Sequence, residues 1–113
     1  MHEVGLMQET MRIVFDQAEK ADAEKITEVR MRVGELSGVV PVSLTFAFGI
    51  VTEGTIASNA RLEIEEVPLV CYCEACREEF HPADVIYICP KCGQPTSTIR
   101  SGRELQVVSI EVE

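Results

Sequence analysis

Basic residues are scarce in this chain of 113 residues: 10 Lys and Arg stand against 19 Asp and Glu, for a formal charge of -9. Phosphate contacts need clustered cations, so this balance argues against nucleic acid and for proteins or cations as partners. A membrane-length apolar run is also missing. The longest apolar stretch, Val39 to Val51, is interrupted by Pro41, Ser43, Thr45 and Gly49 and falls short of the roughly 20 residues that a span requires. No charged start followed by an apolar core and a cleavage site is present, and no low-complexity tract appears. Nothing combines a nucleophile, a base and an oxyanion donor, or forms a phosphate loop, which speaks against an enzyme. These absences leave a soluble, cytoplasmic protein, with 46% hydrophobic residues to build one core.

What is present is concentrated between Cys73 and Cys92. The sequence there reads C-E-A-C, twelve intervening residues, then C-P-K-C-G. Two residues between cysteines let both thiolates of a short turn converge on one ion, and two such knuckles supply the soft ligands of a closed tetrahedral site. Cys73, Cys76, Cys89 and Cys92 are therefore candidate ligands of a structural Zn(II). An iron site of rubredoxin type shares the ligand set, and free or disulfide-bonded thiols are the bland alternative. Gly93 follows the second knuckle where a turn calls for positive φ. Five cysteines with four in metal spacing fit a reducing compartment better than a disulfide framework.

Hydrophobic periodicity predicts the remaining elements. Met7, Met11, Val14 and Ala18 fall at helical steps within Val4 to Lys20, and Asp16 can pair with Lys20 across a turn. Val29, Met31 and Val33 alternate with Glu28, Arg30 and Arg32 as in a strand with one buried face, ended by Gly34 to Gly38. Pro41 opens a second helix with Leu44, Phe48 and Val51 on one face and Gly54 as its stop. Phe46 and Ile50 lie elsewhere around it, so it is either buried on more than one side or forms an interface; a strand remains the alternative. Leu62 and Ile64 continue as a strand whose phase shifts at Val67, Leu69 and Cys71, through a bulge or a strand running out toward the knuckles. Leu105 to Val112 is strand-like, with Val108, Ile110 and Val112 on one face. The sum is an α+β fold: two helices on a small three-stranded sheet, with the knuckles inserted as a zinc-ribbon-like lobe. The expected boundaries are 1-70 and 98-113 for the body and 71-97 for the lobe.

The chain opens Met1-His2-Glu3. A free terminal amine, the deprotonated backbone nitrogen of His2 and its Nδ1 can close fused chelate rings around one metal in a plane, a donor set suited to Ni(II) or Cu(II). The next backbone nitrogen or the Glu3 carboxylate could complete the coordination. Taken alone the signal is weak, since a histidine in second place is usually a solvated residue of a frayed terminus.

The M-H-E start, R-M-R-V-G-E-L-S-G, the P-x-S-L-x-F-x-F pattern from Pro41 to Phe48, and C-x-x-C with C-P-x-C-G together resemble the HypA/HybF family of nickel metallochaperones. The resemblance runs over nearly the whole chain. It implies a carrier that binds Ni(II) as cargo through Met1, His2 and Glu3 and holds structural Zn(II) on the four cysteines. It implies delivery to the large subunit of [NiFe]-hydrogenase with a HypB-type GTPase as partner, and in some organisms service to urease maturation. A monomer or a dimer is compatible with it. The contrasting readings are a zinc-ribbon adaptor or transcription factor with no nickel role, and a rubredoxin-like electron carrier. Cys71 stands outside the pattern as a small strand residue or an exchange ligand for Cys73, and His81, five residues past Cys76, reads as a surface residue.

Overall fold

The computed structural model describes residues 3–113. Its elements in chain order are α1 (Glu3–Lys20), β1 (Ile26–Gly34), a 3-10 turn (Glu35–Ser37), α2 (Pro41–Thr52), β2 (Arg61–Val67), β3 (Val70–Cys73), β4 (Glu78–Phe80), β5 (Ile99–Ser101) and β6 (Leu105–Val112). They form two three-stranded sheets, ordered β2-β1-β6 and β4-β3-β5, in a molecule extending 55 × 24 × 17 Å.

The first sheet and both helices make the body. Met7, Met11, Val14 and Ala18 are all buried along one side of α1, as their spacing predicts. They meet Val29, Met31 and Val33 of β1 and Leu44, Ala47 and Phe48 of α2 in one apolar cluster. Each such side chain, fully buried, stabilises the fold by about 1.5–3 kcal/mol before entropy is counted. The expected Asp16–Lys20 pair forms on the outer side at 3.2 Å.

Strands β1 and β2 are parallel, which requires a crossover between them, and α2 is that crossover. Pro41 occupies its first turn, where no backbone N–H is needed, and Leu44 N–H donates to the Val40 carbonyl at 3.0 Å. Gly54, at φ 76°, turns the chain away two residues after the helix ends. The strand alternative for this segment is thereby excluded. Phe46 and Ile50 are buried against nothing: they are 72% and 50% exposed.

Strand β6 runs antiparallel to β1, and here the sequence-based phase needs correction. The register steps from Arg30↔Ser109 to Met31↔Val107, leaving Val108 as an extra residue. That bulge turns Val108 outward, so the core-facing set is Leu105, Val107 and Ile110, and Val112 at the strand end is also exposed. The phase shift at Val67, Leu69 and Cys71 has the other expected cause: the chain leaves one sheet at Val67 and enters the next at Val70.

Two chain segments connect body and second sheet, one through Pro68 and Leu69 and one through Gly102 and Arg103. They are clasped by the end of β1. Gly34 N–H donates to the Glu104 carbonyl at 2.6 Å, Leu36 N–H donates to the Gly102 carbonyl at 2.7 Å, and the Glu35 carboxylate accepts the Leu69 N–H at 2.8 Å. A Cβ on Gly34 would lie 2.1 Å from the Gly102 oxygen, so only glycine fits this crossing.

Candidate metal centre

Strand β3 delivers Cys73, and the chain then turns so tightly that Arg77 N–H donates to the Cys73 carbonyl at 2.7 Å while Cys76 N–H points at the Cys73 sulfur, 3.4 Å away. The second knuckle repeats this backbone, with Gly93 N–H donating to the Cys89 carbonyl at 2.9 Å. In both, the residue after the second cysteine is left-handed: φ is 74° at Gly93, as its place in the sequence predicts, and 58° at Arg77. Arg77 therefore carries a strain that glycine does not, and no sequence rule singled it out.

The two turns face each other. Cys73 Sγ lies 3.6 Å from Cys92 Sγ, Cys89 Sγ lies 3.9 Å from Cys76 Sγ, and all four sulfurs fall within 4.8 Å of one another. Four thiolates on a tetrahedral zinc, each at about 2.3 Å, would be spaced by about 3.8 Å. The cluster fits structural zinc both in spacing and in the softness of its donors. Zinc bound here would neutralise thiolate charge and tie two distant turns together; Cys73 and Cys89 are buried, Cys76 is half-buried and Cys92 is exposed.

Cys76, Cys89 and Cys92 titrate as a crowded set. Cys76 is pushed up to about 12, first by its contact with Cys92, then by desolvation and by Cys73 and Cys89. Cys89 is drawn down to about 7, chiefly by the backbone N–H of Cys92 and, against desolvation, by that of Lys91. One knuckle thus presents a ready thiolate, and the raised Cys76 and Cys92 thiols give up their protons to a cation rather than to water.

Interactions around the cluster brace it. Lys91 pairs with Glu78 of β4, linking the second knuckle to the strand after the first. Thr96 Oγ1 donates to the Tyr72 carbonyl at 2.7 Å, and the Arg100 guanidinium stacks 4.0 Å above the Tyr72 ring. Cys71 is fully buried in β3, its thiol raised by desolvation, and lies outside the cluster. His81 is exposed, with Nδ1 3.1 Å from the Leu69 carbonyl. Among the described residues no second group of three or more His, Cys, Asp or Glu ligand atoms gathers in this way.

Of the residues expected to take nickel, Glu3 is the first residue of α1 and lines a shallow groove with Val4 and the exposed side of α2. Met1 and His2 lie outside the described residues. Among the described residues no helix is long and apolar enough to cross a membrane.

Comparison with known proteins agrees along the full length. The family model described as "Hydrogenase/urease nickel incorporation, metallochaperone, hypA" matches residues 1–112. A hydrogenase maturation factor HypA from Picosynechococcus sp. is 47% identical over 112 residues, covering 99% of each chain. A guanidine hydrolase-activating protein A from Synechocystis sp. is 40% identical over 115 residues, covering 98% of this chain and 94% of that one. The solution structure of the Ni metallochaperone HypA from Helicobacter pylori superposes with a TM-score of 0.67 at 27% identity, covering 99% and 97% of the two chains.

Proposed function

This chain belongs to the HypA family of hydrogenase/urease nickel-incorporation metallochaperones, and we propose that it captures Ni(II) at Met1, His2 and Glu3 and passes it to the large subunit of [NiFe]-hydrogenase. The observation that supports the reading is that the family match begins at residue 1, so it includes the M-H-E start, in a chain whose four cysteines are already gathered elsewhere. Cargo and structural metal then use different chemistry. The cysteine cluster is enclosed by two braced knuckles and suits an ion that stays; a chelate at a chain terminus suits an ion that must leave.

In this reading Cys73, Cys76, Cys89 and Cys92 hold zinc, which keeps residues 71-97 folded as a lobe on the nickel-binding body. The terminal amine and the His2 backbone and ring nitrogens must lose protons to bind nickel, so capture weakens as pH falls. The protein works in the cytoplasm as a carrier rather than a catalyst, and nucleotide hydrolysis belongs to a HypB-type GTPase partner. A second client class has a specific observation behind it: the Synechocystis relative is an activator of a guanidine hydrolase, so the recipient of the metal is a choice among enzymes.

The test is nickel titration of three untagged, zinc-loaded proteins: the native chain, His2→Ala, and a chain with one residue added before Met1. Nickel binding should be impaired in both variants, with zinc content and fold unchanged. The extension leaves every native side chain in place, so it isolates the amine. Undiminished binding in both variants would refute capture by this terminus.

A further inference from the structure

The helix α2 carries apolar residues on its outer side as well as on the side that packs. Leu44, Ala47 and Phe48 are buried in the core, whereas Val42, Phe46 and Ile50 are 79%, 72% and 50% exposed. These three are spaced by four residues, so they form one continuous ridge on the outer side of the helix. A contiguous apolar patch left exposed on a small protein marks a contact surface. The substitutions that would have kept this ridge soluble are absent: from residue 33 to residue 60 the chain has no Lys, Arg, His or Asp, and its only charges are Glu35 and Glu53.

The ridge also has a definite neighbour. The groove beside it is walled by Glu3 and Val4 at the start of α1, so the first residue of that helix sits at its edge. Two peptide units join Glu3 to Met1, and two residues span about 7 Å at most. A protein seated on α2 is therefore within reach of anything held at the terminus.

We infer that the outer ridge of α2 docks an amphipathic helix of another protein, one carrying Lys or Arg beside its apolar stripe, and that this helix belongs to the acceptor of the nickel. The inference rests on the nickel-carrier reading for that last clause alone. Charge decides against a second copy of this chain. Glu3, on the wall of the groove, would meet no cation from the segment 33–60 of a second copy across a symmetric contact, within a pair of chains each at -9. A basic partner is drawn by the same charges and meets them at the rim. A ridge of residues spaced by four fits the groove of another helix, which is why the occupant is a helix and not a strand.

The probe is a synthetic 18-residue helix, about five turns, with a leucine stripe flanked by lysines, and a control with glutamates in their place. Each is titrated into the zinc-loaded, full-length protein at low salt and followed by amide NMR. The lysine peptide should bind at least tenfold more tightly than the control, with shifts centred on Val42, Phe46 and Ile50, and Phe46→Ser should reduce its affinity at least tenfold while nickel affinity and zinc content stay unchanged. His2→Ala should lose nickel and keep the peptide, which separates failure of the docking surface from failure of nickel capture. Equal binding of both peptides, binding of neither, or shifts centred away from α2 would overturn the inference. So would sedimentation of the native chain as a dimer that Phe46→Ser converts to monomer, since the ridge would then be covered by a second copy.

Discussion

The body and the cysteine-bearing end of this protein reach a folded state by different means. Among the described residues of the body, thirteen buried ones from α1, β1, α2 and their connections form one apolar cluster. Past Pro68 the buried apolar residues are only Leu69, Cys71, Cys73 and Cys89, and two of these four are members of the sulfur cluster. Strands of three and four residues with so little to cover cannot hold themselves together, because a segment of this size lacks the buried area to offset its backbone entropy. One end is thus stabilised by the exclusion of water and the other by coordination, so the two should fail independently and to different reagents.

Metal removal gives the largest expected effect. A structural zinc site contributes on the order of 10 kcal/mol to the folding of the segment that holds it. Cys89→Ala should therefore lose the zinc and collapse the dispersed amide signals of residues 70–101, while those of α1, α2 and β1 persist. The metal-free thiols set the pH response. Cys89 near 7 and Cys76 near 12 both lie where acid keeps or returns the proton. Zinc retention against a competing chelator should fall as pH drops from 8 to 5, and a flat profile would mean that thiolates are not the ligands. The converse cut is Met11→Ala in the fully buried centre of α1, expected to destabilise the body by about 2–5 kcal/mol in a denaturant titration. One zinc per chain should remain bound in that variant below its unfolding transition. Loss of both ends together in either experiment would erase the distinction.

How much of this could be read beforehand follows the same division. The knuckles were legible because metal spacing is local: four cysteines at fixed offsets specify convergence without reference to the rest of the chain. Helix α1 and strand β1 were legible because each buries one face, and a single face prints a clean period of 3.6 or 2. Helix α2 was ambiguous for the opposite reason, since Val42, Phe46 and Ile50 blur the apolar period while serving no core of this chain. The outward turn of Val108 was not legible at all. It depends on a register step against Arg30 and Met31, nearly eighty residues earlier, and no property of β6 itself encodes it. Sequence could suggest that the strand after Leu62 left its sheet, but the clasp of Gly34 against Gly102 is a contact between distant backbones that periodicity does not record.

That clasp is the mechanical link between the two ends. A methyl group on Gly34 would meet backbone atoms of Gly102 and Glu104, and neither can swing aside as a side chain could. Gly34→Ala should cost about 1–3 kcal/mol, as overpacking does. It should also loosen the lobe relative to the body, seen as lobe amides with rotational correlation times shorter than those of the body, with zinc still bound. Equal tumbling of the two ends would show that the clasp is not what couples them.

The smallest expected effect lies in the first knuckle and has the opposite sign. Arg77 adopts φ 58° because the turn that aims Cys76 at the cluster requires it, and the matching place in the second knuckle is held by Gly93 at φ 74°. A left-handed conformation costs a residue with a Cβ roughly 1–2 kcal/mol relative to its preferred states, and glycine escapes that cost. Glycine also gains freedom in the unfolded chain, which returns part of the benefit. Arg77→Gly should therefore stabilise the zinc-bound lobe by less than about 1 kcal/mol, and Gly93→Ala should destabilise it by a similar or larger amount. The pair is informative together. Slower zinc release to a chelator from Arg77→Gly and faster release from Gly93→Ala would mean that the two knuckles are mechanically equivalent. If Arg77→Gly instead releases zinc faster, the Arg77 side chain contributes more than its backbone strain costs, and the likeness of the two turns ends at their hydrogen bonds.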